Sequence, residues 1–563
     1  MTAQEQAEAA TGAAPKAGSA RRLRGGAVMM LGSLTSRATG FVRGAVVVAA
    51  LGTVLLGDAY NVANTVPNIV YILLIGGALN SVFVPELVRA AKEHADGGAA
   101  YTDRLLTLCL TALTAITTLA VLAAPWIVSA YTDYTGAQRD LTVALARYCL
   151  PQIFFYGVFT VLGQVLNARD RFGAMMWTPV LNNVTVIAVF GLYLVIARAA
   201  STAGEVTDGQ LLLLGLGSTA GIAVQALALL PSLRAAGFRW RPRFDWRGSG
   251  LGRPVRAAVW TLLLVLVNQV AYWVVTRLST SAGVRAVAEG VREGVGYTAY
   301  SSAYQLWVVP QGIITVSLVT ALLPRMSRAA TDGDLAQVAA GLSRTLRTTA
   351  VAIVPAVFLF LALAPQLTGL AYQYGQVSDA DARAIGWVLA AFAPGLAAFS
   401  AQYVLSRGFY ALGDTRTPFL LTLVIAGVNA GASAASYALL SARWAVTGIA
   451  AAYALACTAG LCCTALVLRR RLRHPLEQAL GTHLRIGVAC LPGAALAYAV
   501  SGWFTERLGD GLAGDASGLM AGAALIGLSV VVLARPLRIP EVAELVAPLT
   551  RRLEASGRHR RGR

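Results

Sequence analysis

About fourteen apolar stretches, each roughly 20 residues or longer, recur along this chain. No other feature restricts the fold as tightly. In a hydrocarbon layer every backbone N–H and C=O must find its partner inside the protein, so such stretches cross as helices. Their limits are, roughly, 27–50, 60–88, 103–129, 141–167, 174–198, 209–231, 255–278, 297–323, 345–369, 384–411, 418–440, 444–468, 484–504 and 516–534. Composition agrees: of 563 residues 56% are hydrophobic and 13% charged, and the mean hydropathy is +0.63. The expected fold class is an all-α polytopic membrane protein.

The charge pattern supports the same count. The formal net charge is +19, but the basic residues crowd short loops and both tails. Loops after even-numbered spans are basic: Arg89 and Lys92, Arg169 and Arg171, Arg239 to Arg247, Arg325 and Arg328, Arg416, and Arg469 to Arg473. Loops after odd-numbered spans carry little or mixed charge, such as Asp133, Arg139 and Asp140, or Asp379, Asp381 and Arg383. The positive-inside rule then places both termini in the cytoplasm. The basic excess reads as topology and contact with anionic membrane lipids, not as nucleic-acid binding. In the loop Phe238–Arg256 arginine and tryptophan alternate, as in a segment lying on lipid headgroups or in an ordinary charged linker. Arg277, at the outer end of the seventh span, reads as a replaceable interfacial charge.

The chain also repeats itself. Ala59-Tyr60 recurs as Ala299-Tyr300, Pro85 as Pro324, Arg89-Ala90-Ala91 as Arg328-Ala329-Ala330, and Ala124-Pro125 as Ala364-Pro365, at an offset of about 240 residues. Six spans separate the copies, so the copies share an orientation and form two parallel six-helix lobes. The expected division is a disordered tail (1–24), an N-terminal lobe (25–235), a basic linker (236–256) and a C-terminal lobe (257–472). Two additional helices (473–540) and a basic tail (541–563) follow. Substrate is expected between the lobes near the midplane.

The first span carries Arg37 and Arg43 in its middle. A charge at bilayer depth costs about 2.5–3.5 kcal/mol on insertion scales, so such a residue faces a cavity or a partner. Gly32, Ser36, Gly40 and Gly44 form a small-residue stripe along the same helix, which admits another helix closely. In the second span Asn61, Asn64, Asn68 and Tyr71 share one face, with Asp58 at the helix start and Pro67 within it. Tyr297, Ser301 and Tyr304 repeat this polar face in the second lobe, with Gln305 beside it.

Catalytic chemistry is missing from the spans. They hold no paired carboxylates, no Ser/His/Asp grouping and no P-loop with lysine. Four histidines (His94, His474, His483 and His559) fall in loops or tails, and the six cysteines lack zinc or redox spacing. The reading is a transporter rather than an enzyme, without metal or cofactor. The planar donor fork of arginine matches phosphate, so the ligand expected is an anion that enters the membrane, such as a phosphate or pyrophosphate group.

TSRATGFVRGAVVVAALG, GDAYNVANTVPN and GGALNSVFVPEL near the start resemble the MurJ/MviN lipid II flippases of the multidrug/oligosaccharidyl-lipid/polysaccharide exporter superfamily. So do ALLPRMSRA, Gln373-Tyr374-Gly375 and FYALGDTRTP further on. The resemblance covers nearly the whole chain. It implies a multi-pass protein of the bacterial cytoplasmic membrane that flips undecaprenyl-pyrophosphate-linked disaccharide pentapeptide for peptidoglycan synthesis by alternating access. Contact with the peptidoglycan synthesis machinery is a further implication. The family's first-helix arginines fall on Arg37 and Arg43 and its acidic residue on Asp58. Two other arginines of the family are replaced by Tyr71 and Gln305, and a glutamate by Gly76. The expected substrate-contacting set is therefore Arg37, Arg43, Asp58, Asn61, Asn64, Asn68, Tyr71, Tyr304 and Gln305. Another polyprenyl-linked glycan or an amphiphile remains the alternative substrate, because the cavity is less cationic than the family pattern.

Overall fold

A glycine sets the end of the first helix. The computed structural model describes residues 16–73, 87, 89–90, 92–93, 96, 98–169, 171, 173–196, 205–245, 253–291, 293, 295–472, 477–509 and 511–543. Among these, α1 runs Lys16–Leu51 and stops at Gly52, whose φ of 72° is the left-handed cap that glycine adopts freely. Then follow α2 (Leu55–Leu73), α3 (Ala99–Leu122), α4 (Ala124–Tyr131), α5 (Gly136–Cys149), α6 (Gln152–Asn167), α7 (Gly173–Ile196), α8 (Asp208–Leu227) and α9 (Leu230–Ala235). The second half is α10 (Arg253–Ala288), α11 (Tyr297–Pro310), a π-helical turn (Gln311–Thr315) and α12 (Val316–Thr331). It continues with α13 (Leu335–Tyr372), α14 (Asp379–Ala411), α15 (Arg416–Leu439), α16 (Ala442–Leu472), α17 (Glu477–Leu508) and α18 (Leu512–Ala534). No strand occurs among the described residues.

Thirteen helical stretches among the described residues are long and apolar enough to cross a membrane. They coincide with thirteen of the spans read from the sequence. The other span, 60–88, includes residues 74–86, which lie outside the described residues, as do Gly76 and most of the GGALNSVFVPEL pattern. The chain is thus an all-α polytopic membrane protein with about fourteen crossings. His483, expected in a loop, lies inside α17, because that helix begins earlier than its apolar part.

The chain divides into two compact units. The first comprises residues up to Ala50, Val62–Val128 and Arg139–Leu262; the second comprises Leu51–Asn61, Ser129–Gln138 and Leu263 onward. In the first, α6 packs on α3 and α8, and α8 on α7. Its core joins Leu106, Phe159, Leu166, Leu229 and Phe238, all buried. The linker begins here as a strap tied to α3 by hydrogen bonds. The Arg241 and Arg243 backbone N–H groups donate to Asp103 Oδ1 and Thr107 Oγ1 at 3.1 and 3.0 Å, and Arg104 pairs with Asp245 at 2.5 Å. Arg169 lies over the buried Phe238 ring at 4.9 Å. The side chains of Arg239, Trp240, Arg241 and Arg243 stay exposed.

In the second unit α14 packs on α11, α13 and α16, and α15 on α16. Helix α13 breaks at Leu363 (φ −128°, ψ 19°), two residues before Pro365, where the proline ring disfavours helical backbone and removes a donor. The two additional helices, α17 and α18, pack on each other and on α13 around this break. Leu363 fits against Gly522, where a Cβ would stand 2.6 Å from the leucine side chain. Arg277 proves to be structural. It donates to Ser129 O at 2.8 Å, to Thr132 O and to the Asp133 carboxylate, which Ser281 also contacts. Trp273 and Thr280 of the same helix donate to the carbonyls of Ala130 and Tyr131 at 3.0 and 2.9 Å. Arg277→Ala should therefore cost about 1–2 kcal/mol, given its partial exposure, and lower the melting temperature of the purified protein. An unchanged melting temperature would return Arg277 to the interfacial reading.

Candidate functional site

The residues expected to contact substrate separate between the two units. Arg37, Arg43, Asn64, Asn68 and Tyr71 belong to the first; Asp58, Asn61, Tyr304 and Gln305 belong to the second.

In the first unit the small-residue stripe of α1 meets α7. A Cβ at Gly32 would stand 2.9 Å from the Trp177 indole nitrogen, and Asn183 Nδ2 donates to Ser36 O at 3.0 Å and Thr39 Oγ1 at 2.9 Å. This contact holds α1, the carrier of both arginines. Arg37 is exposed and Arg43 half-buried. The polar face of α2 packs on α6. Gln152 Nε2 donates to Asn64 Oδ1 at 2.9 Å, and Tyr156 OH to Asn68 Oδ1 at 3.4 Å. The Tyr71 ring lies 4.5 Å from that of Tyr156. Arg43 acts electrostatically on both phenols. The Arg43 guanidinium offers donors to a phosphate, and the phenols and amides shared by α2 and α6 offer mixed donors and acceptors to a sugar. Sequence reasoning missed Gln152 and Tyr156. Their signal was a polar pair four residues apart at the start of an apolar helix.

In the second unit Asp58 has an unexpected partner. It caps the N-terminus of α11 rather than serving only the start of its own helix. Helix α11 begins after Gly296, which has no side chain to cap it. Thr298 N and Oγ1 donate to Asp58 Oδ1 at 2.7 and 2.6 Å, and Asn61 Nδ2 donates to Thr298 Oγ1 at 3.0 Å. Thr298 stands 240 positions after Asp58, so these are equivalent positions of the internal repeat. A carboxylate at a helix N-terminus accepts orphan N–H groups and meets the positive end of the dipole. Gly296 permits the approach, since a Cβ there would stand 2.3 Å from Asp58 Oδ2. Tyr304 is set in an aromatic cluster with Trp307, Phe392 and Tyr453, at ring distances of 5.5, 5.9 and 6.0 Å. Gln305 is exposed. No group of metal-ligating side chains occurs among the described residues.

This fold is shared with solved structures of membrane transporters. An inward-facing multidrug transporter of the MATE family, within the MOP superfamily, superposes with a TM-score of 0.54 at 15% identity, covering 77% of this chain and 99% of that one. A lipid II flippase MurJ in an inward closed conformation superposes better, with a TM-score of 0.70 at 17% identity, covering 90% of this chain and 99% of that one. The sequence profile described as lipid II flippase MurJ matches residues 47–510, and the chain belongs to that family. Among relatives, a probable lipid II flippase MurJ of Rhizobium meliloti (strain 1021) is 27% identical over 429 residues, 75% of each chain. A lipid II flippase MurJ of Burkholderia cenocepacia is 27% identical over 399 residues, 69% of this chain and 73% of its own. The family is one of transporters, not catalysts.

Proposed function

We propose that this protein flips lipid II across the cytoplasmic membrane by alternating access, with the pyrophosphate held by Arg43 and supported by Arg37. The observation that carries the reading is the setting of Arg43. It is half-buried in an apolar helix and acts electrostatically on Tyr71 and Tyr156, within a chain that belongs to the flippase family. A cation at that depth needs a water-filled site or an anion. Tyr71, which replaces an arginine of the family pattern, hydrogen-bonds phosphate or sugar in place of a second charge. The N-terminal ends of α2 and α11 are held together through Asp58, and this contact breaks if the two ends separate during the cycle.

Complementation tests the reading. Cells depleted of their own lipid II flippase should grow and accumulate no cytoplasmic lipid II when this chain is expressed. Failure at normal membrane levels, with binding of a different polyprenyl-linked glycan to the purified protein, would favour the alternative substrate. The proposed orientation has its own test. A cysteine placed at position 245 should resist labelling from outside intact cells, because the basic loops stay in the cytoplasm. Ready labelling there would reverse the topology.

A further inference from the structure

A second basic site lies within the second unit, away from the residues discussed above. A cavity of about 650 Å³ opens where α13, α17 and the residues after α18 meet. Arg347, Arg485, Arg535 and Arg538 line it, with Glu541 as the carboxylate among them. Two observations mark it as a built site.

The first is unmet hydrogen-bonding capacity. Arg347 Nη1 donates to Glu541 Oε1 at 3.0 Å, while Arg347 Nε and Glu541 Oε2 are both buried without a partner. An occupant with an acceptor oxygen and a hydroxyl donor satisfies both. The second is backbone conformation. Leu533 and Ala534 end α18 in a Schellman arrangement: Ile539 N donates to Ala534 O at 2.9 Å and Arg538 N to Arg535 O at 3.1 Å. The left-handed position of that motif favours glycine, yet here it is Arg538, with φ 53°, the sole non-glycine residue at positive φ among the described residues. A strained backbone thus presents a guanidinium to the cavity.

The cavity lies at the ends of apolar helices long enough to cross a membrane. Arg535 follows directly on the apolar α18, and Arg485 lies near the start of α17, just after the basic run Arg469–Arg471. Leu480 and Leu484 of α17 and Val531 and Val532 of α18 are exposed apolar side chains close in sequence to the lining arginines. Cations beside lipid-facing aliphatic surface match an amphiphile better than a soluble ion. We propose that this cavity binds the phosphodiester headgroup of an anionic membrane lipid that also carries a hydroxyl, as in phosphatidylglycerol. The proposal stands independently of what the protein transports.

The test uses full-length protein in nanodiscs of phosphatidylcholine containing a minor share of phosphatidylglycerol, with retained lipid counted by native mass spectrometry. Wild type should retain phosphatidylglycerol over phosphatidylcholine by about tenfold beyond its share of the bilayer. Arg535→Gln/Arg538→Gln should bring that preference close to one. Gly481→Phe should do the same without changing charge, because Gly481 lines the cavity and a Cβ there meets only open space. It also serves if the double variant does not fold. Arg416→Gln/Arg470→Gln removes two exposed charges outside the cavity and should keep the preference. Equal retention in wild type and cavity variants would overturn the proposal. So would an equal loss in the control, which means diffuse surface charge. Complete displacement of the lipid by millimolar inorganic phosphate would overturn the lipid assignment and make the ligand a soluble phosphate.

Discussion

Arg43→Ala should abolish complementation of a flippase-depleted cell while the protein still reaches the membrane. Each charge-assisted bond lost to a phosphate is worth about 1.5–3 kcal/mol, roughly 10- to 150-fold in binding. Arg43→Lys should restore transport only in part, because an ammonium keeps the charge and loses the two-pronged geometry. The alternative for Arg43 is a side chain that reaches the outer interface, which predicts that lysine works as well as arginine. Its half-buried position and its electrostatic action on Tyr71 and Tyr156 favour the first outcome. Arg37→Ala should do less harm than Arg43→Ala, since Arg37 is exposed and only supports the headgroup. Full complementation by both alanine variants would remove the anion-cavity mechanism and point to another substrate.

The second large effect is expected at Asp58. Asp58→Ala leaves the buried Thr298 N–H and hydroxyl without their acceptor, at a cost of about 1–3 kcal/mol, with the lost cap of α11 included in that range. The melting temperature of the purified protein should fall and transport should fail. Asp58→Asn keeps one acceptor oxygen and should lie between alanine and wild type in stability. Gly296→Ala should mimic Asp58→Ala, because its methyl group takes the place of a carboxylate oxygen. The double variant should then be little worse than either single, the non-additivity of two changes to one contact. Strict additivity, or a Gly296→Ala protein as stable as wild type, would mean that Asp58 does not act through α11.

The membrane-spanning count and class were legible in the sequence, because a span's length and polarity are imposed by the bilayer and need no tertiary partner. Thirteen helical stretches among the described residues fall on the spans that hydropathy marks, and the family resemblance read along most of the chain agrees with the match over residues 47–510, which begins after Arg37 and Arg43. The small-residue stripe of α1 announced a close helix neighbour, since glycine and serine at that spacing leave room for one. The sequence could not say that the neighbour is α7 through Trp177 and Asn183.

The site was legible only in part. Asp58 stood out at the start of the second span and was expected among the substrate-contacting residues. Its partner, Thr298, lies 240 residues away, and nothing local encodes such a pairing. Arg277 looked replaceable for the same reason: its partners, Ser129, Thr132 and Asp133, come from the far end of another helix. Tyr304 read as polar lining, and the sequence did not reveal the aromatic neighbours that surround its ring. The cationic cavity at Arg347, Arg485, Arg535 and Arg538 joins three separate segments, each of which reads alone as a basic flank. By itself the sequence determined which segments enter the membrane and where charge is buried, because the lipid solvent acts on each segment separately. Only the tertiary structure decided which buried charge meets which partner, because hydrogen bonds and ion pairs depend on distances that the chain sets by folding back on itself.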